Sequence, residues 1–416
     1  MALSQPAIVA TPRAFRLEAG LQREPRRPPL DILCSSPAYS RNDQNNNNTG
    51  GHAMTPFARA LCVLSILSLW CLSPSVQAEP RTLHYATAVA PTDRPNNQAR
   101  RWWAEQIKAR TNGEIEIEIH WMQSLVKYPD TAQAVSSGLA DIAGMTPDYT
   151  AARFPLWALS QTEVGPGDHY ISAEAWRRMM ANTPALQEEL RRNNMAFMSV
   201  YSTGPRVLIS NTRPYLTPAD FEGDRVRLTP RSVQAAQRAD WDVTPINLTF
   251  TDIYSAMDRG TLNGAQSAAY LVPLFKHHEV ATHIVETGNG QSMILEAMNL
   301  DTWNSLTPKQ QRVFSEVNRE LEVRMAEAGL EELEQARKMI RNNREFPTEY
   351  HILDAEQQAQ WEAGYLPVER AFAERTSKRS PQAASVFERF QERLKEVASE
   401  VREDGYPWER NEVADR

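Results

Sequence analysis

"FEGDRVRLTPRSVQAAQRADWDVTPINLTFTDIYSAMDRGTLNGAQS", residues 221–267, alternates between the two-residue period of a strand and the 3.6-residue period of a helix. "DRVRL" reads as a strand with Val226 and Leu228 on one side and Arg225 and Arg227 on the other, because successive side chains point to opposite faces. "SVQAAQRADWD" reads as a helix, "VTPINLTF" as a strand, and "TDIYSAMDRG" as a helix capped by Gly260, with "TLNGAQS" leading onward. Just upstream, "TPADFEG" has the form of a one-turn helix with Thr217 as N-cap and Pro218 at its first position. An α/β fold follows from this alternation.

The same rhythm appears earlier. "LHYATAV" reads as a strand, "NNQARRWWAEQIKAR" as a helix closed by "TNG", "EIEIEIHW" as a strand burying its isoleucines, "YPDTAQAVSSG" as a short helix and "LADIAGM" as a strand. Strands joined by helices imply right-handed parallel crossovers. A second set begins with "SVYSTGPRVLISN". Beyond Thr307 the character changes to long charged helices, "TPKQQRVFSEVNRELEVRMAEAGLEELEQARKMIRNN" with Gly329 as its one internal breaker, and the tail to about Glu403 reads as helical too. Two α/β lobes braced by C-terminal helices are expected.

The chain of 416 residues has a formal charge of −7, which argues against nucleic acid as a partner because phosphate binding needs a basic surface. From Met54, "MTPFARALCVLSILSLWCLSPSVQAEP" has the parts of a secretory signal: Arg59, the apolar run Ala60–Leu72, and small residues ending at Ala78. Export to the periplasm is expected, with residues 54–78 as signal peptide; an uncleaved anchor is the alternative. Residues 1–53, with "REPRRPPL" and "RNDQNNNNTG", are expected to be a misassigned or disordered extension ahead of a start at Met54. The three cysteines, Cys34, Cys62 and Cys71, all precede Ala78, so the mature chain needs no disulfide.

Motifs of catalysis are missing. No G-x-S-x-G, P-loop or C-x-x-C follows Ala78, and "GNGQSM" reads as a turn. "HEVATH" (His278–His283) misses the zinc-protease spacing by one residue, which on a helix would put its histidines about 140° apart. Trp102 and Trp103 read as packing residues. The arginines leave two readings open: a solvated strand face, or Arg227 at the C-terminal end of a parallel strand facing the crevice where α/β sheets bind ligands. An arginine there grips a carboxylate through paired hydrogen bonds.

The stretch 221–267, together with "SSGLADIAGMTPDYTAARFPLWAL" and "MNLDTWNSLTPKQQ", resembles the solute-binding proteins of tripartite ATP-independent periplasmic (TRAP) transporters, and the likeness runs from about Arg81 to Phe390. The resemblance implies a two-lobed periplasmic-binding-protein fold with a hinge: lobe I from 79–204 with part of 291–335, lobe II from 205–290, and C-terminal helices over 305–403. It implies that Arg227 holds the carboxylate of a small organic acid, that Arg206 adds charge, that Phe250 packs on the ligand and Thr146 offers a polar group, and that Tyr149 or Tyr270 shields the site from water. Gln266 and Ser267, standing where many members have a glutamate and a following Asn or Trp, are expected among the ligand-binding residues. A metal-assisting glutamate is therefore missing, and neither metal nor cofactor is expected. Arg231 meets a second acidic group or faces solvent. The implied partners are the membrane subunits of a TRAP transporter, and no enzyme activity is implied. The solute-binding component of an ATP-driven importer and a periplasmic enzyme are the alternatives.

Overall fold

The computed structural model describes residues 80–414, so the expected signal peptide, 54–78, and the expected extension, 1–53, lie outside the described residues. The alternation first seen around residue 221 runs along the chain. The strands are β1 (Arg81–Ala86), β2 (Ile115–His120), β3 (Ile142–Met145), β4 (Thr162–Pro166), β5 (Met195–Ser202), β6 (Arg206–Ser210), β7 (Asp224–Arg227), β8 (Val243–Ile246), β9 (Gly264–Ala268), β10 (His283–Glu286), β11 (Asn289–Gln291), β12 (Met293–Asn299) and β13 (Glu349–Ile352). They form one sheet in the order β2-β1-β3-β12-β5, a second in the order β13-β10-β6-β9-β7-β8, and a ribbon of β4 with β11. Each large sheet with its helices makes one lobe. The crossover helices set β1 parallel to β2 and β3, and β7 parallel to β8 and β9, while β12 and β6 run antiparallel to both their neighbours.

The chain leaves the first sheet between β5 and β6 and returns through β11 to β12. "SVYSTGPRVLISN" therefore serves both lobes rather than opening the second. In "EIEIEIH" Ile115 is buried while Ile117 and Ile119 are only half-buried, because β2 is an edge strand with one neighbour.

The helix Pro308–Asn342 starts from a capping box, with Thr307 accepting from the Gln310 backbone and Gln310 answering to Thr307. It spans both cores: Phe314, Val317 and Leu321 pack with Leu83, Trp103 and Ile107, and Leu333 and Ile340 pack with Val207, Ile209 and Ile284. Trp103 Nε1 donates to Asn318 Oδ1 at 2.8 Å, pinning it to the helix Pro95–Arg110. Gly329 does not break the helix. A Cβ there would lie 2.3 Å from the ring of His169, so the missing side chain admits a neighbour rather than a bend. The same ring excludes a Cβ at Gly204 in the β5–β6 crossing, also at 2.3 Å.

Two further helices, Ala355–Ser377 and Ala383–Asp404, follow. Trp361 of the first is fully buried, edge-on to Phe221 and Trp241 of the second lobe at 5.4 and 5.3 Å. Phe390 of the second packs edge-on against Trp176 of the first lobe at 4.8 Å. Removing one such ring costs about 3–5 kcal/mol. The tail is not wholly helical, since β13 adds a parallel edge to β10. "HEVATH" is not a helix either: His278 sits in a short 3-10 turn and His283 begins β10.

Candidate functional site

A cavity of about 120 Å³ lies between the lobes, walled by Tyr85, Tyr128 and Tyr201 from the first and by Arg227, Phe250 and Phe275 from the second. Arg227 is the last residue of β7, beside Ile246 at the carboxyl end of the parallel strand β8 and beside Ala265 near the start of the parallel strand β9. Its Nε donates to Leu248 O at 3.1 Å and its Nη1 to Gln266 O at 2.7 Å, which fixes the guanidinium plane and leaves three of five N–H bonds for other partners. Among the described residues no carboxylate lies within the 4.0 Å of an ion pair with it. Burial pulls its pKa below the ordinary arginine range, the expected response of a desolvated cation without a counter-ion. Arg225, two residues earlier, is exposed and donates to the carbonyls of Thr261 and Gly260. On one strand face, therefore, Arg225 is solvated and Arg227 lines the cavity.

Arg206, the first residue of β6, also borders the cavity but is occupied. Its Nε and Nη2 each donate to Glu163 at 3.1 Å, its Nη1 to Ser292 Oγ at 2.7 Å and its Nη2 to Gln291 O at 3.2 Å. Glu163 cancels the charge that Arg206 was expected to add. Glu163 also accepts from Thr229 Oγ1 at 2.9 Å and from Gln266 Nε2 at 2.8 Å. Gln266 thus turns away from the cavity: its Oε1 accepts from Thr229 N at 3.1 Å and Ser232 Oγ at 2.8 Å, and only its backbone serves Arg227. Ser267, next along β9, points the opposite way and lines the cavity, with a buried Oγ that has no partner among the described residues.

Thr146 lines the cavity and shares a hydrogen bond with Tyr128 at 2.8 Å. Tyr149 stands edge-on to Tyr128 at 6.0 Å, and Tyr128 is edge-on to Phe250 at 5.7 Å, so an aromatic contact crosses from one lobe to the other. Tyr270 also lines the cavity, beneath the Arg94 guanidinium at 5.5 Å, and burial raises its pKa. Arg231 does not face solvent. It is buried, paired with Glu369, 3.6 Å over the Phe372 ring and 3.9 Å from Asp148. Asp148 borders the cavity with its pKa pushed up to about 6 by burial, against the pull of Arg231 and Arg206. His277 is fully buried, and burial, with the Arg227 charge behind it, pushes its pKa down to about 3, so it brings no second cation.

Sequence reasoning missed Tyr128, Tyr201 and Glu163. A charged residue in the otherwise uncharged "TEVGP" was the one available sign of Glu163. Tyr201 belongs to a buried cluster below the cavity, where Arg100 donates to Tyr201 Oη at 2.7 Å and Tyr85 Oη to Glu296 at 2.7 Å.

Two braced α/β lobes enclosing a cavity with one uncompensated guanidinium define a binding protein for a small anionic solute. Residues 86–376 match the family model "Bacterial extracellular solute-binding protein, family 7". The chain belongs to this family, as a solute-binding protein of the TRAP type. It is 25% identical over 324 residues to the C4-dicarboxylate-binding periplasmic protein DctP of Rhodobacter capsulatus, covering 76% of this chain and 93% of that one. Among solved structures, a TRAP solute-binding protein from Rhodoferax ferrireducens in complex with copurified benzoate aligns with a TM-score of 0.66 at 19% identity, over 77% of this chain and 99% of that one. A TRAP periplasmic solute-binding protein from Desulfovibrio salexigens, an open complex, aligns with a TM-score of 0.66 at 17% identity, over 79% and 98%.

Proposed function

We propose that this chain, exported to the periplasm, captures a small organic acid with a single carboxylate and an uncharged, preferably aromatic body, and hands it to the membrane subunits of a TRAP transporter. The observation that carries this reading is the state of Arg227: fixed by two carbonyls, lining the cavity and, among the described residues, without a carboxylate partner. The ligand carboxylate docks there, Ser267 and Thr146 offer hydroxyls, and Phe250, Tyr149 and Tyr270 exclude water, which strengthens the ion pair. Arg206 shapes the wall. Because Glu163 already neutralises it, a second carboxylate on the ligand finds no free cation there. The benzoate found in the Rhodoferax relative supports an aromatic body.

Lobe I comprises 79–204 with part of 291–335, and lobe II 205–290 with β13 at its edge. Ligand closes the lobes because only the closed form touches it from both sides, as Tyr128 and Phe250 now touch each other. The reading is one of binding without covalent chemistry.

A thermal-shift screen of the purified protein over benzoate, 3-hydroxybenzoate, succinate, malate and glucuronate tests it. Aromatic monocarboxylates at saturating concentration are expected to raise Tm by about 5 °C or more. A larger shift with the dicarboxylates would replace the single-carboxylate reading, and no shift with any acid would remove the carboxylate.

A further inference from the structure

At the far edge of the second sheet, away from the cavity, three side chains converge. His283 of β10 is the direct partner of Glu349 of β13 in the parallel register, and His351 stands two residues beyond Glu349. Residues two apart on a strand share a face, so both imidazoles and the carboxylate rise from the same side. His283 Nδ1 and His351 Nε2 each lie 3.3 Å from the same oxygen, Glu349 Oε2, and all three donor atoms fall within 4.8 Å of one another. Both ring nitrogens are shielded from water and have no hydrogen-bond partner among the described residues. Two ligands on one tetrahedral zinc, each about 2.0–2.1 Å from it, stand about 3.3 Å apart. Glu349 is largely exposed, giving an ion a way in.

We propose that His283, Glu349 and His351 form a divalent metal site of the zinc class, two imidazoles and one carboxylate with water completing the shell, which fastens β13 to β10. Borderline ions suit this donor set better than calcium or magnesium, which take oxygen. The consequence is structural: β13 is a four-residue edge strand between the helices Pro308–Asn342 and Ala355–Ser377, and the ion ties that junction to the second lobe. His283 is the second histidine of "HEVATH", but its partners come from a strand about seventy residues on, not from the motif.

The first lobe repeats the pattern, with His84 of β1 opposite Glu118 of β2 and His120 two residues further. There the ring nitrogens already bond each other, His84 Nδ1 to His120 Nε2 at 2.9 Å, so an ion would have to part them. It serves as the internal control.

Equilibrium dialysis of the untagged full chain against zinc sulfate, followed by metal analysis, tests the site. One zinc is expected per chain, bound more than about 100-fold more weakly by His283→Ala and by His351→Ala, a larger loss than altering groups behind the ligands produces, and unchanged in His120→Ala. No zinc on the wild-type chain, full retention by both second-lobe variants, or loss confined to His120→Ala would overturn the proposal. Cobalt(II) on the wild-type chain gives a readout independent of variant folding. Its spectrum should lack a thiolate charge-transfer band, and the presence of that band would move the ion to the cysteines.

Discussion

Arg206 and Arg227 border the same cavity from two strands of one sheet, yet they live in different electrostatic surroundings. Around Arg206 four of the five N–H bonds are spoken for by Glu163, Ser292 and Gln291. Among the described residues Arg227 hydrogen-bonds only to two carbonyls, and a carbonyl holds a guanidinium in place without cancelling its charge. The difference teaches that an arginine's task is set by whether a carboxylate has been folded against it. The first is part of the frame at the β4–β11 ribbon; the second is kept waiting for an anion.

The largest expected effect breaks the paired side. Arg206→Ala leaves Glu163 buried without its cation and should cost about 3–5 kcal/mol of stability, read from the urea midpoint. A loss below about 1 kcal/mol would show that Arg206 belongs with the ligand rather than the frame. On the unpaired side the pattern should invert. Arg227→Ala is expected to weaken binding of the preferred acid by about 100-fold or more with little change in the urea midpoint, and Arg227→Lys to be impaired as well, because an ammonium cannot make two parallel bonds. Calorimetry returning the wild-type affinity for Arg227→Ala would dissolve the comparison.

A smaller effect sharpens it. Asp148 has its pKa raised to about 6, so it is neutral below that pH and adds a negative charge to the cavity wall above it. Anion affinity should therefore fall as pH rises from 5 to 7.5, by about threefold to tenfold for charges this close to water. Asp148→Asn should flatten the profile. A profile that keeps its slope in that variant would place the titrating group elsewhere.

Much of this was legible in the sequence because it is local. The strand "DRVR" ending at Arg227, the caps at Thr217 and Gly260, and the long helix from Pro308 depend on neighbours a few positions away. What stayed hidden is non-local. Glu163 meets Arg206 across 43 positions and Glu369 meets Arg231 across 138, and no periodicity encodes such meetings. Gln266 is a different kind of miss. Adjacent residues on a strand face opposite ways, so Gln266 and Ser267 could not both look into the cavity, and which one does was decided by the Glu163 network. β13 escaped because four residues between charged helices give too short a pattern to separate from them.

The ring of His169 occupies the space that side chains at Gly204 and Gly329 would need, one on the crossing between lobes and the other on the helix that spans them. These three positions therefore form a single heritable unit. A methyl group at Gly329 is tolerable only in a lineage that has already surrendered the imidazole, and at Gly204, where φ is +70°, the backbone would resist it even then, so drift at this joint must begin at residue 169.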